Sequence, residues 1–289
     1  MIERFNFYDL YGYLVPGIAV IVVLWLPSGL HQSALPDSKI LSVAATLVVA
    51  YVTGHFIQSM ATMAMSSAEI DSQGNRVYPS DRLLNKSDST FSADLKSRIA
   101  NNVIEWFALS VDVDSDVKDT KSPLSAIRQD AFFLCRRIGN ESSTYAEQFQ
   151  GLYSLTRGLA VAFGIGLFYS CGWLLGESVH SFPFVVPAAD SLAVFVALSL
   201  SRFFNKDYRQ IRDIERVSLA AFALFLAMVG AIAGRTQTLS QGGDLVLAGC
   251  AVLYLCACYR FLVSYRFYSV EFAKAVWRHF AAEPNRRPS

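Results

Sequence analysis

The run LYGYLVPGIAVIVVLWL, from Leu10 to Leu26, contains no charged residue. An α-helix crossing roughly 30 Å of hydrocarbon needs about 20 such residues at 1.5 Å each. The run starts just behind Met1-Ile2-Glu3-Arg4, is longer than the roughly 7–15-residue core of a secretory signal, and is followed by no A-x-A-like site. It therefore reads as a retained crossing, and the segment around it as about 10–30. Five further runs of this kind lie at about 40–62, 157–176, 185–204, 217–235 and 245–263. The chain has 289 residues, 53% hydrophobic and 17% charged, against roughly a quarter charged in soluble domains. That balance argues against a soluble enzyme. The expected fold is all-α: a polytopic membrane protein with about six transmembrane helices and a small cytosolic helical insert. The fourth run departs most from the pattern, because Pro183 and Pro187 open it and Asp190 lies one turn inside.

Charge placement gives the orientation. Of 25 Lys and Arg, only Lys39 and Arg235 fall in the loops expected outside. Arg202, Lys206, Arg209, Arg212 and Arg216 crowd the short loop between the fourth and fifth runs. Under the positive-inside rule both termini and the insert are expected in the cytosol, with an even number of crossings. The five cysteines (Cys135, Cys171, Cys250, Cys256 and Cys258) avoid the outside loops, so no disulfide framework is expected. Cys256 and Cys258 sit about 200° apart on a helix and have no second ligand pair, so no metal is expected.

Four regions follow: a hairpin over 1–65, the insert over 66–156, a bundle over 157–263 and an amphipathic tail helix over 264–289. Residues 66–90 are rich in turn formers and read as loop or linker. Phe91, Leu95, Ile99, Val103, Trp106 and Phe107 recur at helical spacing, predicting a helix over about 91–110. Ser122-Pro123 starts a second helix that is expected to stop at Gly139-Asn140. Thr144-Tyr145-Ala146-Glu147 fits a capping box for a third, continuous with the 157–176 span. The insert holds 10 basic and 13 acidic residues, a poor footprint for nucleic acid, and no direct nucleic-acid binding is expected. Arg157 with Ala162-Phe163 matches Arg216 with Ala221-Phe222, and Arg202-Phe203 matches Arg260-Phe261. This is a faint repeat that would make the last four spans duplicated hairpins.

Tyr51, His55, Gln58 and Thr62 share one face of the second span. Polar groups in hydrocarbon face a cavity, a pore or one another, so this stripe is either a permeation lining or interhelical glue. Gly158, Ala162, Gly166 and Ser170 recur every four residues, and Gly230 and Gly234 sit beside Ala223, Ala227 and Ala231. These faces are expected to pack against helices of this chain or of another copy. Arg202, Arg209, Arg260, Tyr265 and Arg266 form a basic, aromatic set suited to anionic lipid or a small anionic ligand. The tail with Phe272, Lys274, Val276 and Arg278 continues that set as an interfacial anchor. Asp112-Val113-Asp114-Ser115-Asp116 imitates the opening of a calcium loop, but Val117 and Pro123 stand where glycine and glutamate are needed, so an exposed acidic loop is expected. Walker A, H-E-x-x-H and G-x-S-x-G patterns are missing. An enzyme is not expected, and no cofactor is implied.

Phe7-Tyr8-Asp9-Leu10-Tyr11-Gly12-Tyr13-Leu14-Val15-Pro16-Gly17, with Gly54-His55-Phe56-Ile57-Gln58, resembles a signature of bacterial multi-pass membrane proteins of uncharacterised function. Similar small proteins with a cytosolic helical module act as membrane effectors in antiphage systems, where opening or disrupting the inner membrane stops growth. The resemblance implies a bacterial inner-membrane protein. With that likeness of architecture, the helix continuous from the insert into the 157–176 span, the small-residue faces and the polar stripe of the second span lead to the expectation of a homo-oligomeric channel or membrane-disrupting effector. It would be gated by the insert, with a cytosolic sensor protein or small anion as its trigger. Two alternatives stand beside it: a transporter of small solutes or ions that depends on Asp190 or His55, and a non-catalytic membrane scaffold.

Overall fold

The computed structural model describes residues 9–31, 40–65, 68–70, 76–142, 144–178, 185–204, 208–236 and 243–282. A π-helical turn over Leu10–Leu14 leads into α1 (Val15–His31), and α2 covers Ile40–Ala64. Two short strands follow, β1 (Glu69–Ile70) and β2 (Arg76–Val77), then α3 (Pro79–Leu83), α4 (Ala93–Phe107) and α5 (Pro123–Ser142). The remaining helices are α6 (Thr144–Ser178), α7 (Val185–Phe204), α8 (Tyr208–Thr236) and α9 (Gly243–Ala282). The chain divides into two compact units, one of Met1–Met65 with Ser154–Val263 and one of Ser66–Tyr153 with Ser264–Ser289.

The first unit is the membrane bundle. Among the described residues five helices contain segments long and apolar enough to cross a membrane: Leu10–Pro27, Ala45–Ala64, Tyr145–Gly176, Ile214–Arg235 and Gly243–Ala282. Helices in lipid gain little from hydrophobic exclusion and associate through close packing, which small residues supply here. A side chain on Gly17 would strike the Ala50 carbonyl, and one on Gly54 the Tyr13 backbone, so α2 lies directly against α1 and the π-turn. Gly172 and Gly176 of α6 meet Ala227 and Ala231 of α8 in the same way, while Gly230 and Gly234 meet Tyr169 and Trp173. Val20, Ile57, Ala162, Ile165 and Leu226 fill the space between. Large apolar side chains such as Val48, Leu245, Val252 and Leu253 are left exposed, as a lipid-facing surface requires.

The second unit has a core of its own. The stripe on α4 buries Ile99 and Val103 as its spacing predicts. Ser92 caps α4 by accepting from the Leu95 N–H at 3.2 Å, and the helix ends on Ala108 in the left-handed region at φ 56°. Ser122 Oγ accepts from the Ser125 N–H at 3.1 Å where the capping pattern placed it. Helix α5 runs through Gly139-Asn140 to Ser142 and does not stop at the glycine; glycine inside a helix costs only about 1 kcal/mol. Three differences from the sequence reading matter more. The supposed linker over 66–90 carries an antiparallel pairing of Glu69 with Val77 and Ile70 with Arg76, followed by α3. Its Leu83 and Leu84 are fully buried in the core. The tail also belongs to this unit instead of standing apart: Trp277 is 0% exposed and donates from Nε1 to the Ser80 carbonyl at 3.1 Å.

Insert and tail pack into one compact unit. Of the four helices that link them, α6, α8 and α9 belong to the apolar five, and α7, with 20 residues, is outside that set.

Candidate functional site

The densest polar arrangement in the bundle centres on Gln58 of α2, which is 6% exposed. Its Nε2 donates to the Gly12 carbonyl at 2.6 Å and to the Ser154 carbonyl at 2.7 Å. Its Oε1 accepts from Arg157 Nε at 3.2 Å and Nη2 at 2.9 Å. A primary amide offers two donors and two acceptor positions, and all four are used. The amide cannot be turned round, because guanidinium only donates and carbonyls only accept. The local backbone makes room for it: a side chain on Gly158 would strike Pro16 and the Gln58 amide nitrogen itself. Gly12 lies in the π-turn, where the Val15 N–H reaches back to the Leu10 carbonyl. Such turns recur at functional positions. Three segments remote in sequence are thus fastened at one side chain.

The rest of the expected stripe separates from this junction. His55 is exposed and stacks on Tyr13 at 3.8 Å between ring centroids, with Tyr51 edge-on at 4.7 Å. Thr62 is exposed and donates to the Gln58 carbonyl of its own helix at 2.9 Å. Within the stripe, Gln58 is the residue whose side chain bonds segments remote from α2. The small-residue faces pack within the chain. Gly158 lies against Pro16, Gly166 against Val23 and Tyr254, and Ala162 and Ser170 are fully buried. Gly172 and Gly176, on the other face of α6, extend this packing and were not singled out by the four-residue spacing.

Of the expected anion set, Tyr265, Arg260 and Arg266 have described side chains. Tyr265 is buried, stacked on Tyr153 at 4.9 Å with the two hydroxyls 3.3 Å apart. It is a packing residue of the second unit. Arg260 and Arg266 are exposed. Arg202 and Arg209 fall on α7 and α8, and their side chains lie outside the described residues. Asp190 is exposed. Cys135 is buried, and burial pushes its thiol well up.

The second unit has a polar core that the sequence did not announce. Arg128 of α5 is 0% exposed. It donates to the Asp81 carbonyl and to Asn85 Oδ1 at 2.8 and 2.6 Å, and to the Asp112 and Ser115 carbonyls at 2.5 and 2.8 Å. Asp81 is likewise 0% exposed. Its carboxyl accepts from Ser125 Oγ and Gln129 Nε2, each at 2.5 Å. Burial pushes it up to about 6, against the opposing effect of Ser125, Gln129 and Arg128. The acidic loop is held by this core and by backbone donors. Asp112 accepts from the Asp114 N–H and Asp116 from the Ser87 N–H. Hydrogen bonding, from Ser115 foremost at Asp112 and from the Ser87 backbone at Asp116, keeps both carboxyls below the usual range. Among the described residues no cluster of His, Cys, Asp and Glu is placed to hold a metal.

Set against protein-family models, curated proteins and solved structures, the chain matches none.

Proposed function

We propose that this chain is a non-enzymatic, homo-oligomeric effector of the bacterial inner membrane, with the insert-and-tail module and both termini in the cytosol. When a cytosolic partner or small anion engages the module, the bundle permeabilises the membrane. The reading rests on one observation: α6 and α9 are each a single unbroken helix with residues in both units. Their 35 and 40 residues amount to about 52 and 60 Å of helix, roughly twice what a crossing takes. A helix of that length carries a displacement at one end to the other, because its hydrogen-bond ladder resists bending. Growth arrest during phage infection is the setting suggested by the likeness in architecture to small antiphage membrane effectors with a cytosolic helical module.

The test is membrane potential in cells on induced expression. Wild type is expected to depolarise them. A variant with two glycines inserted after Tyr153 and two after Val263 is expected to insert in the membrane and leave the potential intact. No depolarisation by wild type, or equal depolarisation by both, would refute the reading. A scaffold role has one observation in its favour, the full use of the Gln58 amide in holding helices together. One stable partner recovered by pull-down, with the membrane potential intact, is what that role predicts.

A further inference from the structure

The last turns of α9 border a cleft of about 240 Å³ lined by Glu271, Lys274, Ala275, Arg278 and His279, with Tyr145 on its other side. Lys274 and Arg278 stand one turn apart and share a helix face. Glu271 holds Lys274 Nζ at 2.7 Å, which fixes the ammonium at the cleft. The Arg278 guanidinium lies 5.6 Å from the centre of the Phe91 ring. That is within cation–π range and holds the cation near the cleft. The second unit as a whole contains as many acidic as basic residues, so the positive excess here is local.

Size and donor type define what fits. At about 30 Å³ of liquid per water, the cleft holds roughly eight waters. That is room for a phosphate group with a small substituent, and below the usual range for enclosing a nucleotide or drug-sized ligand. The Lys274 ammonium, paired with the one carboxylate of the lining, Glu271, together with the Arg278 guanidinium and the His279 imidazole leaves a net positive cleft with several donors. This suits a tetrahedral oxyanion better than a planar carboxylate with only two oxygens. We infer that this cleft binds the phosphate group of a small anion, free or carried on an anionic lipid headgroup. Lys274 and Arg278 are its ligands, and His279 is a third nitrogen donor. The inference does not depend on permeabilisation, since binding is measured directly.

The experiment has two arms, both on the full chain in neutral detergent. Inorganic phosphate is titrated calorimetrically, with acetate as the control anion. Retained lipid is counted by native mass spectrometry after exposure to phosphatidylglycerol or phosphatidylcholine. Lys274→Gln and Arg278→Gln are each expected to weaken binding about tenfold, with the unfolding midpoint unchanged because Arg278 is exposed and Lys274 part-exposed. Phosphate binding lost in the variants supports the cleft with a soluble anion. Selective retention of phosphatidylglycerol, lost in the variants, supports it with a lipid. If neither arm detects binding, if acetate binds equally well, or if Arg278→Gln binds as wild type does, the inference is overturned.

Discussion

Replacing Gln58 with alanine removes two bonds to carbonyls and a forked bond to Arg157 at one stroke. The carbonyls of Gly12 and Ser154 and the Arg157 guanidinium then lose the partner they have in this buried site. Neutral side-chain bonds between membrane helices average about 0.6 kcal/mol, and bonds to a charged group are worth about 1.5–3. The sum for Gln58→Ala is about 3–4 kcal/mol. The part belonging to the pair is isolated by a double-mutant cycle with Arg157→Ala, whose coupling energy is expected at about 1.5–3 kcal/mol. Unfolding of the purified protein along a denaturing-detergent titration provides the readout. Gln58→Glu adds a directional test: the carboxylate keeps Arg157 but faces two carbonyls with no proton to offer, so it too destabilises. A coupling energy below about 0.5 kcal/mol, the level of independent sites, would show that the junction does not hold the helices. Thr62→Ala, which cuts a bond within one helix, is the reference and should stay within about 0.5 kcal/mol.

Close backbone approach makes Gly176→Ala costly, by about 1–3 kcal/mol, since its new methyl meets the Ala231 carbonyl. Gly249→Ala meets nothing within 4 Å and should be neutral or gain up to about 1 kcal/mol of helix propensity; the same titration compares them. In the module, Arg128→Met abandons four acceptors and is expected to cost about 3–5 kcal/mol, read as loss of the module's cooperative unfolding transition. Asp81 sets a pH dependence. Its folded pKa of about 6 exceeds the roughly 3.9 of an unfolded chain, so its contribution is full below about pH 4 and is lost as pH rises through 6. Asp81→Asn should flatten this fall and raise stability at pH 8 by up to roughly 3 kcal/mol, measured by thermal unfolding from pH 4 to 8. Cys135, buried and pushed up, should resist maleimide in the folded protein and label after denaturation.

Five of the six expected spans were legible as helices long and apolar enough to cross, because lipid leaves an apolar run that composition alone reveals. The 185–204 run, opened by Pro187 with Asp190 behind it, is not among the five. The helices α4 and α5 were legible from stripe and cap, Ser92 and Ser122 acting locally as their spacing requires. The junction was only half legible. Gln58 stood out as a polar group in a span, but its partners lie 46, 96 and 99 residues away. Arg157 reads from sequence as an ordinary interfacial cation. The segment Ser80-Asp81 and Asn85 resembled a linker because its polarity hides burial. Arg128, Ser125 and Gln129, more than 40 residues on, the Val117 backbone, 32 residues on, and Trp277 near the end of the chain satisfy those polar groups in a core. The tail misled for a related reason: its aromatic and basic residues suit a membrane surface, and nothing local says that Trp277 and Phe280 have a protein core to enter.

Every functional reading depends on insert and tail sharing one side of the membrane, which requires α7 to cross. Alkaline phosphatase fusions after His180, Lys206 and Ser289 measure this most directly. Activity at His180 alone is the predicted pattern. Activity at Lys206 or at Ser289 would place the two halves of the module on opposite sides of the bilayer and contradict the account.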